Sequence, residues 1–273
     1  MGFAEARASF VEGARALYRN AGLVNKAVST LPRHIIFSGA MRIHAEHVFD
    51  ASAPELTLTR LQKHSSDYCG ISAGRVTAQV LLLRKLGFLE TKIANDRRER
   101  ILEPTEKMVL LDHRWLISRL DPLGPFGLFD LTEEERTTRE FALAFRAACS
   151  ISAEAIAAFN ERHPMITFFI LRDGGFSLLL ELLREWQATG STRVAFDAMS
   201  TASAFCVSKS QIWSLLHGAQ EQGFITTEAP AWRLINLNER LLVSFDAWFH
   251  EMATGVAGLA MNAREFWKDH RQK

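Results

Sequence analysis

The chain is poor in the residues that staple or interrupt a fold. Its 273 residues hold three cysteines, Cys69, Cys149 and Cys206, far apart and without a CxxC pair. That excludes a disulfide framework and a cysteine zinc site, and fits a reducing cytoplasm. Seven prolines and 16 glycines punctuate lightly, so most segments are free to run as helix. No run of about 18 apolar residues occurs, which argues against a membrane-spanning helix. The opening MGFAEARASFVEGAR mixes charges into its apolar residues and does not read as a signal peptide. A net charge of +1 excludes a uniformly basic nucleic-acid coat. Walker, GxGxxG, GxSxG and HExxH signatures are all missing, and His44 and His47 have no carboxylate pattern to complete a site. The chain therefore reads as a non-enzyme with no cofactor and no metal.

What is present is apolar and helical. Hydrophobic residues make up 48% of the chain, ample for a core. Residues 1–130 carry 18 Lys and Arg against 14 Asp and Glu, and the remainder 14 against 17. The first part is thus net +4 and the second −3, so the two parts suit different partners. Phe10, Val11, Ala14, Leu17 and Tyr18 recur at helical spacing, predicting an amphipathic helix over 10–31 that Pro32 interrupts. The one dense turn cluster, DPLGPFGLFD at 121–130, predicts a boundary between domains 1–125 and 126–273. Thr132 with Glu135 then forms a capping box, and the chain ends in a long helix over 238–266.

Two stretches resemble each other. SSDYCGISAGRVTAQVLLLRKLGFLE (65–90) aligns with TASAFCVSKSQIWSLLHGAQEQGFIT (201–226) at an offset of 136. Ile71 meets Val207, Ser72 meets Ser208, Val76 meets Ile212, and Gly87, Phe88 and Leu89 meet Gly223, Phe224 and Ile225. Beyond the glycine the offset falls to 133, where Arg100, Ile101 and Leu102 meet Arg233, Leu234 and Ile235, and Trp115 meets Trp248. Two copies of one module follow, near 55–110 and 192–240.

Each module reads as helix, turn, helix, hairpin. A short helix over 58–65 precedes a loop. Ser72 caps a second helix whose Val76, Val80 and Leu83 form one stripe. Gly87 stops it, a strand begins at Phe88, a polar tip follows, and Arg100 to Glu103 return as the second strand before Thr105 caps the next helix. That order is a winged helix-turn-helix. The first hairpin tip holds Arg97, Arg98 and Arg100, suited to phosphates and to the negative potential of a narrow minor groove.

The stretch GISAGRVTAQVLLLRKLGFLETKIANDRRERILEPTEKM resembles the core of the MarR family, the multiple antibiotic resistance regulators. Its members have a recognition helix rich in Ser and Thr and a wing reading Asp-Arg-Arg. The resemblance covers about 55–110 and implies that Asp96 braces the wing while Arg98 enters the minor groove. Pro104 and Met108 depart from the family's closing Leu-Thr-x-x-Gly motif. Members are homodimers, and this chain, nearly twice as long, resembles two protomers fused. The fold expected is mainly α with small β wings: tandem winged helix-turn-helix modules joined and flanked by long helices.

The function implied is a cytoplasmic transcriptional regulator that binds double-stranded DNA. Helix 72–86 would read the major groove, with Arg75 as base reader, Thr77 beside it and Ser72 on a phosphate. The wing 90–103, with Arg97, Arg98 and Arg100, would read the minor groove. In the second module Lys209, Gln211 and Ser214 are the corresponding candidates, while Trp213 facing outward points to a protein contact. A small-molecule effector is left open, and no membrane is involved. The chain pairs either within itself as a pseudo-dimer or with a second copy. The alternatives are a tandem winged-helix replication initiator, and a winged-helix scaffold that binds proteins rather than DNA.

Overall fold

The computed structural model describes residues 2–22, 24–93, 100–149, 151–227 and 233–271. Among them the chain is mainly helical with two small antiparallel sheets. Helix α1 (Phe3–Tyr18) buries Phe10, Val11 and Ala14 along one face. The single helix expected over 10–31 does not form. Asn20 and Gly22 both take φ of +58°, a left-handed conformation that a right-handed helix cannot continue. A five-residue α2 (Val24–Val28) follows, and then α3 (Leu31–Phe49). Pro32 lies in the first turn of α3. It therefore starts a helix instead of interrupting one, because its missing N–H would have no partner there anyway.

The first of the two matched units opens with α4 (Leu58–Cys69) and α5 (Ala73–Lys85). The helix expected over 58–65 runs on to Cys69 and is stopped by Gly70 at φ +59°. Strands β1 (Leu89–Ile93) and β2 (Arg100–Pro104) pair antiparallel, Leu89 opposite Pro104, and α6 (Glu106–Leu120) follows. A 3-10 turn at Asp121–Leu123 then leads to α7 (Glu133–Thr137), α8 (Arg139–Ala148), α9 (Ala153–Arg162), α10 (Pro164–Ile170) and α11 (Gly175–Thr189). The second unit comprises β3 (Arg193–Ala195), α12 (Ala198–Phe205), α13 (Lys209–Glu221), β4 (Ile225–Thr227) and β5 (Leu234–Leu237), and α14 (Glu239–Arg271) closes the chain. Its sheet has the order β3-β5-β4.

The repeat is visible bond by bond. Gly87 N–H donates to Arg84 at 3.0 Å, and Gly223 N–H to Gln220 at 2.9 Å. Phe88 N–H reaches Leu83, and Phe224 N–H reaches Ala219, each at 2.9 Å. The Thr105 hydroxyl closes the first hairpin on the Gly87 carbonyl at 2.8 Å, and the Asn238 amide closes the second on the Gly223 carbonyl at 2.9 Å. Ile101 of β2 bridges Thr57 as Leu234 of β5 bridges Ala195. Only the second unit extends that bridge into a third strand, β3.

The segment 121–130, read as a boundary, is packed. Leu123 is 0% and Phe129 5% exposed, and the Arg264 guanidinium lies 4.1 Å over the Phe129 ring. The capping box forms, with Glu135 N–H to Thr132 Oγ1 at 3.2 Å and Thr132 N–H to Glu135 Oε2 at 2.8 Å. Arg264 pairs with the same carboxylate, tying α7 to α14. Beyond it the two parts interlock: α1 packs on α11, and α8 packs on α3 and α14. Arg146 of α8 holds Asp112 of α6 through both carboxylate oxygens, with side-chain exposures of 8% and 1%. No single helix among the described residues is long and apolar enough to cross a membrane.

Candidate nucleic-acid interface

Helix α5 buries Val76, Gln79, Val80 and Leu83 and leaves Gly74, Arg75, Ala78, Leu81, Arg84 and Lys85 exposed. Its inner face is fixed by a buried bond from Gln79 Nε2 to the Ala27 carbonyl of α2 at 2.6 Å. Its C-terminal end is held from α6, where Lys107 Nζ donates to the Leu86 carbonyl at 2.8 Å. The outer face is therefore presented by a rigid frame. A Cβ added at Gly74 would meet nothing within 4 Å, so that glycine serves no internal packing.

Three of the residues singled out in the first unit stand exposed. Ser72 takes the N-cap position of α5, with φ −63° and ψ 146°, but its hydroxyl makes no cap bond and stays available to solvent. Arg75 makes no side-chain hydrogen bond or ion pair among the described residues. Arg100 opens β2 opposite Ile93 and is exposed. Thr77 is engaged within the protein. Its hydroxyl donates to the Ala73 carbonyl at 2.9 Å and accepts from Gln62 Nε2 at 3.0 Å, which ties α5 to α4. Asp96, Arg97 and Arg98 lie outside the described residues. Arg84 and Lys85 complete the exposed cationic face. Sequence reasoning passed over Arg84, although its place in the last turn, one residue before Lys85, was a signal. The Cys69 thiol, at the end of α4, has its pKa raised by partial burial, which disfavours a reactive thiolate.

The second unit offers a different face. At the 136 offset, Arg75 corresponds to Gln211, Thr77 to Trp213, Ala73 to Lys209 and Ala78 to Ser214. Gln211 is committed internally: its Nε2 donates to the Asp173 carbonyl at 3.2 Å and its N–H to the Ser208 cap at 3.1 Å. The Asp173 carboxylate in turn accepts from Ser29 at 2.8 Å and Arg33 at 3.0 Å. Phe168 of α10 packs against Gly218 and Phe224, covering part of the outer side of α13. Lys209 and Ser214 remain exposed. Trp213, expected to face outward, is half-buried against the core and lines a cleft.

Among the described residues no group of three or more His, Cys, Asp or Glu side chains is placed to hold a metal ion. Compared with family models, curated proteins and solved structures, the chain matches none.

Proposed function

We propose that the protein is a cytoplasmic, DNA-binding transcriptional regulator built from two winged helix-turn-helix modules, related in design to the MarR regulators it resembles. In this reading the first module reads DNA. Helix α5 enters the major groove with Arg75 on a base edge, Arg84 and Lys85 add positive charge at its far end, and Ser72 meets a phosphate. The hairpin between β1 and β2, with Arg97, Arg98 and Arg100, reaches the minor groove. The second module is a degenerate partner that completes an intramolecular pseudo-dimer.

One observation carries the reading. Among the described residues Arg75 has no side-chain partner on its exposed helix face, whereas its counterpart Gln211 is committed to Asp173. A surface arginine at the head of the second helix of a helix-turn-helix is placed as base readers are. The interlocking of α1 with α11 and α8 with α3 supports pairing within one chain.

The test is binding to random duplex at increasing salt, followed by selection of bound sequences from a random pool. Phosphate neutralisation gives a slope of log K against log salt of about −0.9 per contact. A flat salt dependence, as a protein-binding scaffold would show, rejects the reading. An enriched site in which both modules leave equal footprints favours the tandem initiator instead.

A further inference from the structure

Helix α5 carries an apolar line on the side turned away from the protein. At about 3.6 residues per turn, Gly74, Ala78, Leu81 and Lys85 fall on one stripe, opposite the buried Val76, Gln79, Val80 and Leu83. All four are exposed, and Leu81 is 57% exposed. A single exposed leucine is ordinary. This one shares its stripe with a second feature that packing within the chain does not require. Glycine destabilises a helix relative to alanine, yet a Cβ added at Gly74 would meet nothing within 4 Å. The matched stripe of the second unit is Ser210, Ser214, His217 and Glu221. It is polar throughout and ends in a charge opposite to that of Lys85, and Phe168 and Arg172 of α10 border it. The apolar stripe therefore belongs to the first unit alone.

The flanks indicate what the stripe faces. Arg75 stands on one side of it and Arg84 on the other, with Lys85 on the line itself. No acidic residue occurs between Asp67 and Glu90. An apolar line set between cations fits the major groove of DNA. Phosphates run along the walls of that groove, and on its floor the thymine 5-methyl is the apolar group that base edges offer. Small residues at Gly74 and Ala78 let the helix backbone lie close to the base edges, so that Leu81 reaches a methyl group.

We propose that Leu81 is a specificity-determining residue that reads a thymine methyl, about two to three base pairs from the guanine read by Arg75. Leu81 lies six residues past Arg75, roughly 9 Å at 1.5 Å per residue, against about 3.4 Å per base pair. The inference rests on the reading of α5 as the groove helix. It adds the identity of a second base and its distance from the first.

Fluorescence anisotropy on the full chain, with a duplex selected from a random pool, tests it. Each thymine of the selected site is replaced in turn by deoxyuridine, which removes the 5-methyl group and nothing else. One replacement, near the guanine that Arg75→Ala ceases to select, should weaken wild-type binding about fourfold, the scale of one buried methyl group. In Leu81→Ala the same replacement should change affinity by less than about twofold, because the partner of the methyl is gone. Leu81→Ala should keep the wild-type melting temperature and the guanine preference, and on reselection it should lose the thymine preference. The inference is overturned if no thymine shows the effect in the wild type, if the effect persists in Leu81→Ala, or if Leu81→Ala weakens all duplexes alike. Where such a result accompanies salt-dependent binding and a guanine preference that Arg75→Ala removes, the DNA reading stands and only the role of Leu81 falls. Absence of salt-dependent duplex binding overturns both and makes the stripe a protein-docking face.

Discussion

Gln79 donates its side-chain amide to the carbonyl of Ala27, 52 residues earlier, at 2.6 Å inside the core. The same short helix α2 carries Asn25, whose Nδ2 donates to the carbonyls of Tyr18 and Phe205, each at 2.7 Å. Helix α5 of the first unit and the end of α12 of the second are thus fastened to one five-residue hub. Gln79→Met leaves a buried carbonyl unpaired and should cost about 1–3 kcal/mol. Asn25→Ala removes two buried hydrogen bonds at once and should cost more. Urea denaturation measures both. A loss below about 0.5 kcal/mol, the range of ordinary surface changes, contradicts the hub.

Arg75 and Gln211 occupy equivalent places and should respond in opposite ways. Arg75→Ala removes an exposed side chain with no partner among the described residues, so stability should stay within about ±0.5 kcal/mol, while affinity for a selected duplex falls by about 1–3 kcal/mol. Gln211→Ala removes the tie to Asp173, so stability should fall and duplex affinity should hold. Thermal melts with fluorescence anisotropy read both quantities. An Arg75→Ala protein with undiminished affinity removes the proposed base reader.

Local chemistry made part of this legible from the residues. Ser72 before an apolar stripe and Gly87 after it bounded α5. The match of Gly223, Phe224 and Ile225 to Gly87, Phe88 and Leu89 placed the second hairpin, and Thr132 with Glu135 placed a cap that formed as read. One local signal was outweighed by the apolar spacing: Asn20 and Gly22, residue types that enter left-handed backbone most readily, break the single helix read over 10–31. The rest stayed hidden because it is non-local. The packing of 121–130 depends on Arg264, far along the chain. The capture of Gln211 by Asp173 follows only from how α10 meets α13. Strand β3 is three residues long and exists because β5 is beside it. In the candidate interface, Ser72, Arg75 and Arg100 are exposed as a groove reader requires, but no periodicity foretold that Gln62 would occupy the Thr77 hydroxyl.

The matched C-caps provide a strain test. Gly70 and Cys206 stand at the same place in their units with φ of +59° and +54°. Left-handed backbone costs a residue with a Cβ roughly 1–2 kcal/mol, and glycine avoids that cost. A Cβ at Gly70 would meet nothing within 4 Å, so only backbone strain is at issue. Gly70→Ala should destabilise by about 1 kcal/mol, and Cys206→Gly should leave stability unchanged or raise it by up to about 1 kcal/mol. Chemical denaturation of both variants measures the pair. Equal and opposite signs from those stated would mean that the two caps are not equivalent.

His34 makes stability depend on pH. Its ring lies 4.6 Å from that of Trp115, and burial, with the charges of Arg146 and Arg119, lowers its pKa from 6.5 to about 3. Between those values the unfolded chain binds a proton that the folded one refuses. The stabilising contribution is complete above pH 6.5 and is lost as pH falls. Relative to His34→Leu, the wild type should lose up to about 1.4 kcal/mol per pH unit below 6.5. Urea midpoints at pH 7 and pH 5.5 give the comparison, and parallel losses in the two proteins would mean that His34 titrates normally.

Contacts across the chain's midpoint bear on its assembly. Arg15 pairs with Glu181 at 2.7 Å, Arg7 with Asp246 at 2.8 Å and Arg146 with Asp112 at 2.6 Å. The last pair is almost fully buried, and removing one member of such a pair costs about 3–5 kcal/mol. Within the single chain α1 packs against α11, and α8 packs against α3 and α14, so those faces are not open to a second copy. The expected particle is a monomer of 30.7 kDa. Because Arg75 and Gln211 differ at equivalent positions, its footprint on DNA should lack a two-fold axis, since operator symmetry mirrors protein symmetry. Light scattering on the free protein and footprinting on a selected site decide together. Twice the chain mass with a palindromic footprint would show that two first units read the site and that the second units serve the pairing of chains.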